Sequence, residues 1–420
     1  MIPFLSVTIF LLGYVAISQE HIIKVSKTSI SLILSVVLWL LVGISSSTGI
    51  NHALAESGGE IFELVIFLLS AMTLVEILTH YGLFNFVYQK LAELNLDDKA
   101  QFVIITLLAF VFSAFLDNLT TTIIFLQISR RFFKGKNLVR SASAIVIAAN
   151  AGGVFSPIGD VTTTMLWLAG KFTAPTIFFQ GFLPSVVVFI TSTVLIGRTI
   201  VKSAPDKIEK VNKLGKTEWI VISLCLSSFL FPLIMTLMHL PPYFGLLLGL
   251  GMVWLLVDLA KLRASQSASL SVSIEKFFQK TDIASLYFFI GILLSISALS
   301  HLGILETASQ KIFTDTPSVS RIIIGNIAIG GFSAIFDNIP LTAAAMEIIK
   351  TTDPSLWVLL ALTAGVGGSL LLIGSAPGII AMAIVDDLTF KSYLKIASFP
   401  ALIAYMLGIL TWYVQYNILK

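Results

Sequence analysis

Ser113-Ala-Phe-Leu-Asp117-Asn118 and Ser333-Ala-Ile-Phe-Asp337-Asn338 are nearly the same six residues, SAFLDN and SAIFDN, and they stand 220 positions apart. Each sets a carboxylate beside a carboxamide in strongly apolar surroundings, with apolar segments on both sides. An ionisable residue at membrane depth costs about 3 kcal/mol on insertion scales. One such residue is compatible with an accident of packing. Two in the same phrase point to a duplicated chain with an ion site at its centre.

Composition agrees. Of 420 residues, 56% are hydrophobic and 12% charged, with a mean hydropathy of +0.96. A water-soluble domain cannot hide that much apolar surface, so the chain reads as an all-α polytopic protein of the lipid bilayer. The net charge of +3 sits in loops between apolar runs and implies no nucleic-acid partner. Cys225 is the one cysteine, which excludes an intramolecular disulfide and a thiolate metal cluster. The five histidines lack His-x-x-x-His spacing, and no cofactor is indicated. The first apolar segment has no basic leader and no small-residue cleavage site, and reads as a retained span.

Apolar run lengths give the same order of elements twice. In the first half, 1–200, spans fall near 3–18, 28–47 and 60–79, followed by an amphipathic stretch at 82–94. Two short arms, 101–112 and 119–133, meet at SAFLDN; a segment at 141–170 is interrupted by Gly152, Gly153, Pro157 and Gly159, and a span near 176–198 follows. A linker at 201–216 leads to the second half, 217–420. Its spans lie near 217–238, 243–260 and 282–300, with an amphipathic stretch at 302–313 and arms about SAIFDN. An interrupted segment at 355–385 and a span near 394–417 close the chain. Each arm is too short to cross a core of about 30 Å, so the paired arms predict re-entrant hairpins. Each half then crosses five times, and an odd number makes the halves an inverted repeat, with two re-entrant hairpins and two broken helices.

On that topology 21 of the 26 Lys and Arg fall on the face opposite the termini. The positive-inside rule makes that face cytoplasmic and puts both termini outside. RRFFKGK and KSAPDKIEKVNKLGK are then ordinary cytoplasmic loops.

Hard monovalent cations want oxygen ligands from carboxylates, amides, hydroxyls and unwound carbonyls. The first half offers Ser113, Asp117, Asn118, Thr120, Asn150, Asp160, Thr162 and Thr163; the second offers Ser333, Asp337, Asn338 and Ser375. Asp160 aligns with Ser375, so the first repeat is the more acidic. Thr121, Thr122 and Thr164 read as hydroxyls bonded to backbone carbonyls four residues back. The glycine pairs read as backbone requirements for close approach. Glu63 and Glu76 on the third span are accessory acids, and Glu347 reads as a surface partner of Lys350. No cluster of Lys or Arg lies at membrane depth to receive an organic anion.

SAFLDNLTTT, NAGGVFSPIGDVTTT, SAIFDN and LLSAMTLVEILTHYGLF resemble the signature segments of NhaD-type sodium/proton antiporters, in the superfamily that also holds arsenite permeases and divalent-anion/sodium symporters. The resemblance spans about 60–417. It implies exchange of sodium, and lithium, for protons in a cell (inner) membrane by a homodimer whose transport block moves against a scaffold. Ten of the site residues named above, all but Asn150 and Ser375, match the positions that handle ions in the family, with sodium at Asp117, Asn118, Asp160, Asp337 and Asn338. Ser70 stands where the family has glycine, and the second broken helix carries no acid. The block is expected over about 101–170 plus 319–385. An arsenite or other anion permease of the same superfamily is the alternative reading, and a cation channel is the more distant one.

Overall fold

The structure, a computed structural model, describes residues 2–45, 50–201, 214–263, 275–313 and 318–419, and among these helix is the only regular secondary structure. The expected linker at 201–216 therefore lies mostly outside the described residues.

The first half opens with α1 (Ile2–Ser18), the single turn α2 (Glu20–Ile23), α3 (Lys27–Ser45) and α4 (Ile50–His80). α4 starts ten residues before the expected span. Its 31 residues reach about 46 Å at 1.5 Å per residue. The polar run INHALAESGG holds no proline, and glycine costs a helix only about 1 kcal/mol, so the helix continues through it. α5 (Leu83–Glu93) is the expected amphipathic stretch and buries Leu83, Phe84, Tyr88 and Leu91. The arms are α6 (Asp98–Ser113), started by the Asp97 carboxylate accepting the Ala100 N–H at 3.0 Å, and α7 (Asn118–Phe132). The interrupted segment is α8 (Gly135–Val154) and α9 (Val161–Leu168), and α10 (Ala174–Gly197) closes the half.

In the second half the first expected span is two helices, α11 (Lys216–Ser228) and α12 (Phe231–Leu237). Pro232 explains the break, because it has no N–H to give the preceding turn. Next come α13 (Tyr243–Arg263), the turn α14 (Glu275–Phe278), α15 (Ile283–His301) and the amphipathic α16 (Ile304–Phe313). The second pair of arms is α17 (Val319–Ser333) and α18 (Asn338–Ile348). The second interrupted segment is α19 (Pro354–Gly367), a 3-10 turn at Leu372–Gly374 and α20 (Ala376–Ile384). α21 (Phe390–Tyr393) leads through a π turn at Leu394–Ser398 into α22 (Phe399–Leu419).

Seven helical stretches among the described residues are long and apolar enough to cross a bilayer: Lys27–Ser45, Ile50–His80, Ala174–Gly197, Lys216–Leu237, Tyr243–Lys261, Ile283–His301 and Phe390–Leu419. Ile2–Ser18, Val319–Ser333 and Pro354–Gly367 are apolar but shorter. The chain is an all-helical, multi-pass integral membrane protein.

Packing sorts the helices into two groups. α3 lies along α15 and α1, and α4 along α13, α15 and α11. Most short helices pack on one another: α6 and α7 on α8, α17 on α19, α20 on α7 and α8, and α9 on α18 and α19; α18 also lies on α15 and α16, and α9 on α4. α10 and α22 pack on each other and on α19, and α10 also packs on α8. Glycine sets the spacing of the second group, as the sequence predicts. A Cβ on Gly152 would strike the Phe110 carbonyl, and one on Gly367 would strike the Gly330 carbonyl. Thus α6 meets α8, and α17 meets α19, with backbones in direct contact.

Gly152→Ala and Gly367→Ala are each expected to destabilise the chain by about 1–3 kcal/mol through forced separation of these helices. Gly251→Ala, with open space around it, should not. Melting of the purified protein in detergent measures all three.

Candidate cation-binding site

Each Asp-Asn phrase ends an arm and starts the next helix. Asp117 is the N-cap of α7 with φ −62°, ψ 155°, and Asp337 is the N-cap of α18 with φ −57°, ψ 135°. The broken helices repeat this one layer away. Asp160 caps α9 with φ −141°, ψ 143°, and its aligned partner Ser375 precedes α20 with φ −143°, ψ 150°. Four helix N-termini therefore present polar side chains at corresponding places, where unsatisfied N–H groups favour negative charge.

Serines seat the hairpins. Ser113 Oγ donates to the Ala149 carbonyl at 2.6 Å, and Ser333 Oγ donates to the Ala364 carbonyl at 2.7 Å. From there the amides link the halves. Asn118 Nδ2 donates to Asn150 Oδ1 at 3.1 Å. Asn150 Nδ2 in turn donates to Ser369 Oγ at 2.7 Å and Ser375 Oγ at 3.2 Å. Asn338 Nδ2 reaches Asp160 Oδ2 at 3.4 Å. Each asparagine of the repeated phrase thus touches the first broken helix, one of them across the repeat boundary.

Asp160 is 2% exposed and accepts the Thr162 N–H at 3.4 Å. Asp117 is half-buried and accepts the Thr120 N–H at 2.9 Å and the Thr120 hydroxyl at 2.5 Å. Neither has an ion-pair partner among the described residues. Asp160 lies within electrostatic reach of both Asp117 and Asp337. The three do not close on one point: among the described residues no three acidic, His or Cys side chains are grouped to chelate a metal ion. A monovalent cation would instead combine one carboxylate with neutral oxygens.

Such oxygens are present. The hydroxyls of Thr163, Thr121, Thr122 and Thr342 are buried with no hydrogen-bond partner among the described residues. This corrects the reading of Thr121 and Thr122 as bonded to backbone carbonyls. Asp337 departs from expectation as well: its carboxylate pairs with Lys27 Nζ at 3.4 Å.

A cavity of about 560 Å³ opens between α4 and α15 on one side and α9 and α18 on the other. Glu56, Glu60 and Glu63 line it from successive turns of α4, and Glu347 faces them from α18. Glu347 is therefore not the partner of Lys350, which pairs with Glu306 at 3.5 Å; it accepts the Ser300 hydroxyl at 2.6 Å. The i, i+4, i+7 spacing of the three α4 acids was readable as one helix face, whereas the place of Glu347 was not. Glu76 sits near the other end of α4, in reach of Lys280, and is not part of this cavity. Of the end-of-span histidines, His301 lines the cavity beside Trp39, and His80 packs against Phe277.

A family model described as "Citrate transporter" matches residues 14–359, which takes in both Asp-Asn phrases and Asp160. Sodium/proton antiporter 1 of Arabidopsis thaliana is 34% identical across 98% of this chain and 72% of its own length. The Na(+)/H(+) antiporter NhaD of Halomonas elongata is 29% identical across 95% of this chain and 86% of its own, and that of Vibrio cholerae 29% across 94% and 88%. With family model, relatives and paired Asp-Asn turns in agreement, the chain belongs to the citrate transporter family and is an NhaD-type member of it.

Proposed function

We propose that the protein exchanges sodium, and lithium, for protons at Asp160 and Asp117. The observation that carries this is Asp160: a buried carboxylate without a basic partner among the described residues, met by Asn338 from the other half and close in sequence to Thr163, whose hydroxyl has no partner among those residues. A bare charge is costly there, and either a proton or a small cation relieves it. Antiport needs only that these two compete and that the occupied site moves. The names of the relatives point to the same substrates. An anion permease fits the site less well, since carboxylates dominate it and no basic side chain among the described residues pairs with Asp160.

The corresponding turns and matched glycine contacts of the two halves support an inverted repeat with re-entrant hairpins. The packing supports a moving block of α6–α9 and α17–α20 that also carries α10 and α22, a wider block than the sequence suggests. α1, α3, α4, α13 and α15 form the frame, and the block slides against it in a homodimer in the cell (inner) membrane. On the proposed topology, with termini outside, the acidic cavity faces outward and concentrates cations.

In proteoliposomes, Asp160→Asn and Asp117→Asn should abolish sodium-driven proton movement while the protein still inserts; full exchange by either would remove that residue from the site. Arsenite and dicarboxylate should fail as substrates of the unaltered chain. Glu347→Gln should raise the sodium concentration for half-maximal exchange about twofold at low ionic strength, fading as salt screens the cavity. For topology, cysteines replacing Lys99 and Lys280 in a Cys225→Ser chain should react from the cytoplasm and one replacing Lys350 from outside. Reaction of all three from one face would exclude the inversion.

A further inference from the structure

The two Asp-Asn turns share a backbone but hold their carboxylates differently, and the sequence gives the cause. Asp117 is held by the N–H and hydroxyl of Thr120. The matching position three residues after Asp337 is Pro340, which has neither group. Asp337 consequently makes no capping bond with its side chain, and its carboxylate turns outward to Lys27.

Lys27 is firmly placed. It starts α3, where its backbone N–H donates to Glu20 Oε1 at 3.0 Å, and its ammonium lies 4.5 Å from the centroid of the Phe288 ring on α15. Tyr14 of α1 adds a hydroxyl bond to the Asp337 carbonyl at 3.4 Å and stacks on Phe336 at 5.3 Å between centroids. The Lys27 and Asp337 side chains are 22% and 18% exposed, so the pair is largely withdrawn from solvent. Helices of the frame thus grip the tip of one hairpin, and the charged part of the grip is a single ion pair.

We infer that Lys27 is a tethered cation that occupies the Asp337 carboxylate in this conformation and competes there with the transported cation. The inference rests on the antiport reading and assigns a residue to its coupling. Breaking a partly buried pair strands a charge in a poor solvent. The block therefore leaves the frame only when Asp337 has taken another positive charge, a proton or a sodium ion. Asp117, held by its own turn, has no such restraint. The two aspartates then do different work: one is held within the hairpin, the other by the frame until a cation replaces Lys27.

The test uses the full chain in detergent and in proteoliposomes, with sodium chloride as the probe. Lys27→Gln should lower the sodium concentration giving half-maximal thermal stabilisation, and the KM for sodium-driven exchange, by about tenfold if the tethered form holds nine-tenths of the protein. Lys27→Arg should keep both values near those of the unaltered chain. In an Asp337→Asn background, Lys27→Gln should shift the sodium midpoint no further, as a double-mutant cycle requires of interacting residues. A folded Lys27→Gln protein with unchanged midpoint and KM would overturn the inference, as would an equal shift in both backgrounds. Should Lys27→Gln fail to insert, recovery in the Lys27→Gln/Asp337→Asn chain would support the pair, and failure there too would overturn it. If the unaltered chain neither moves nor responds to sodium, the antiport reading fails instead. The pair is then decided by the same cycle on sodium-free melting, where additive losses would rule it out.

Discussion

Charge in an apolar interior has to be dissolved in dipoles, paired, or neutralised by something that comes and goes, and the placement of Asp160 follows from that constraint. It caps α9 and receives an N–H from its own helix and an amide from the second hairpin, with no ion-pair partner among the described residues. Helix N-termini supply partial positive charge but not a full counter-ion. Unwound backbone on both sides of the site is tolerable because α8, α19 and the hairpins bury it in protein.

The same constraint explains the glycines and serines around the site. Short helices that end mid-protein have to be tied to their neighbours. Ser113 and Ser333 donate to the Ala149 and Ala364 carbonyls, while Gly152 and Gly367 let whole backbones touch. Backbone contact of this kind holds the hairpins close against the broken helices. The cavity between α4 and α18 lies where short helices meet the long ones, and its acids stand on both sides.

Near-symmetry makes the exceptions informative. Asp160 against Ser375 gives the two interrupted segments different charge on the same backbone turn. Thr120 against Pro340 gives the two hairpin tips different hydrogen bonding, and with it different partners for their aspartates. Two carboxylates in the same six-residue phrase are therefore held under two different restraints.

Read alone, the sequence determined the class, the order of elements and the repeated phrases, because these depend on local composition and on periodicity. It singled out Asp117, Asp160, Asn118 and Asn338 as candidates because a polar residue in a long apolar run is visible without any fold. The ten-residue start of α4, the break at Pro232 and the unpartnered Thr121 and Thr122 were misread or missed, since hydropathy averages over such detail. Tertiary structure alone decided that Glu347 faces a cavity rather than Lys350, that Asn338 reaches Asp160, and that Lys27 finds Asp337 across 310 residues. Contacts of that kind carry no local signal: which of several compatible partners a charged or amide group meets is fixed by how the helices pack, and packing is a property of the whole chain.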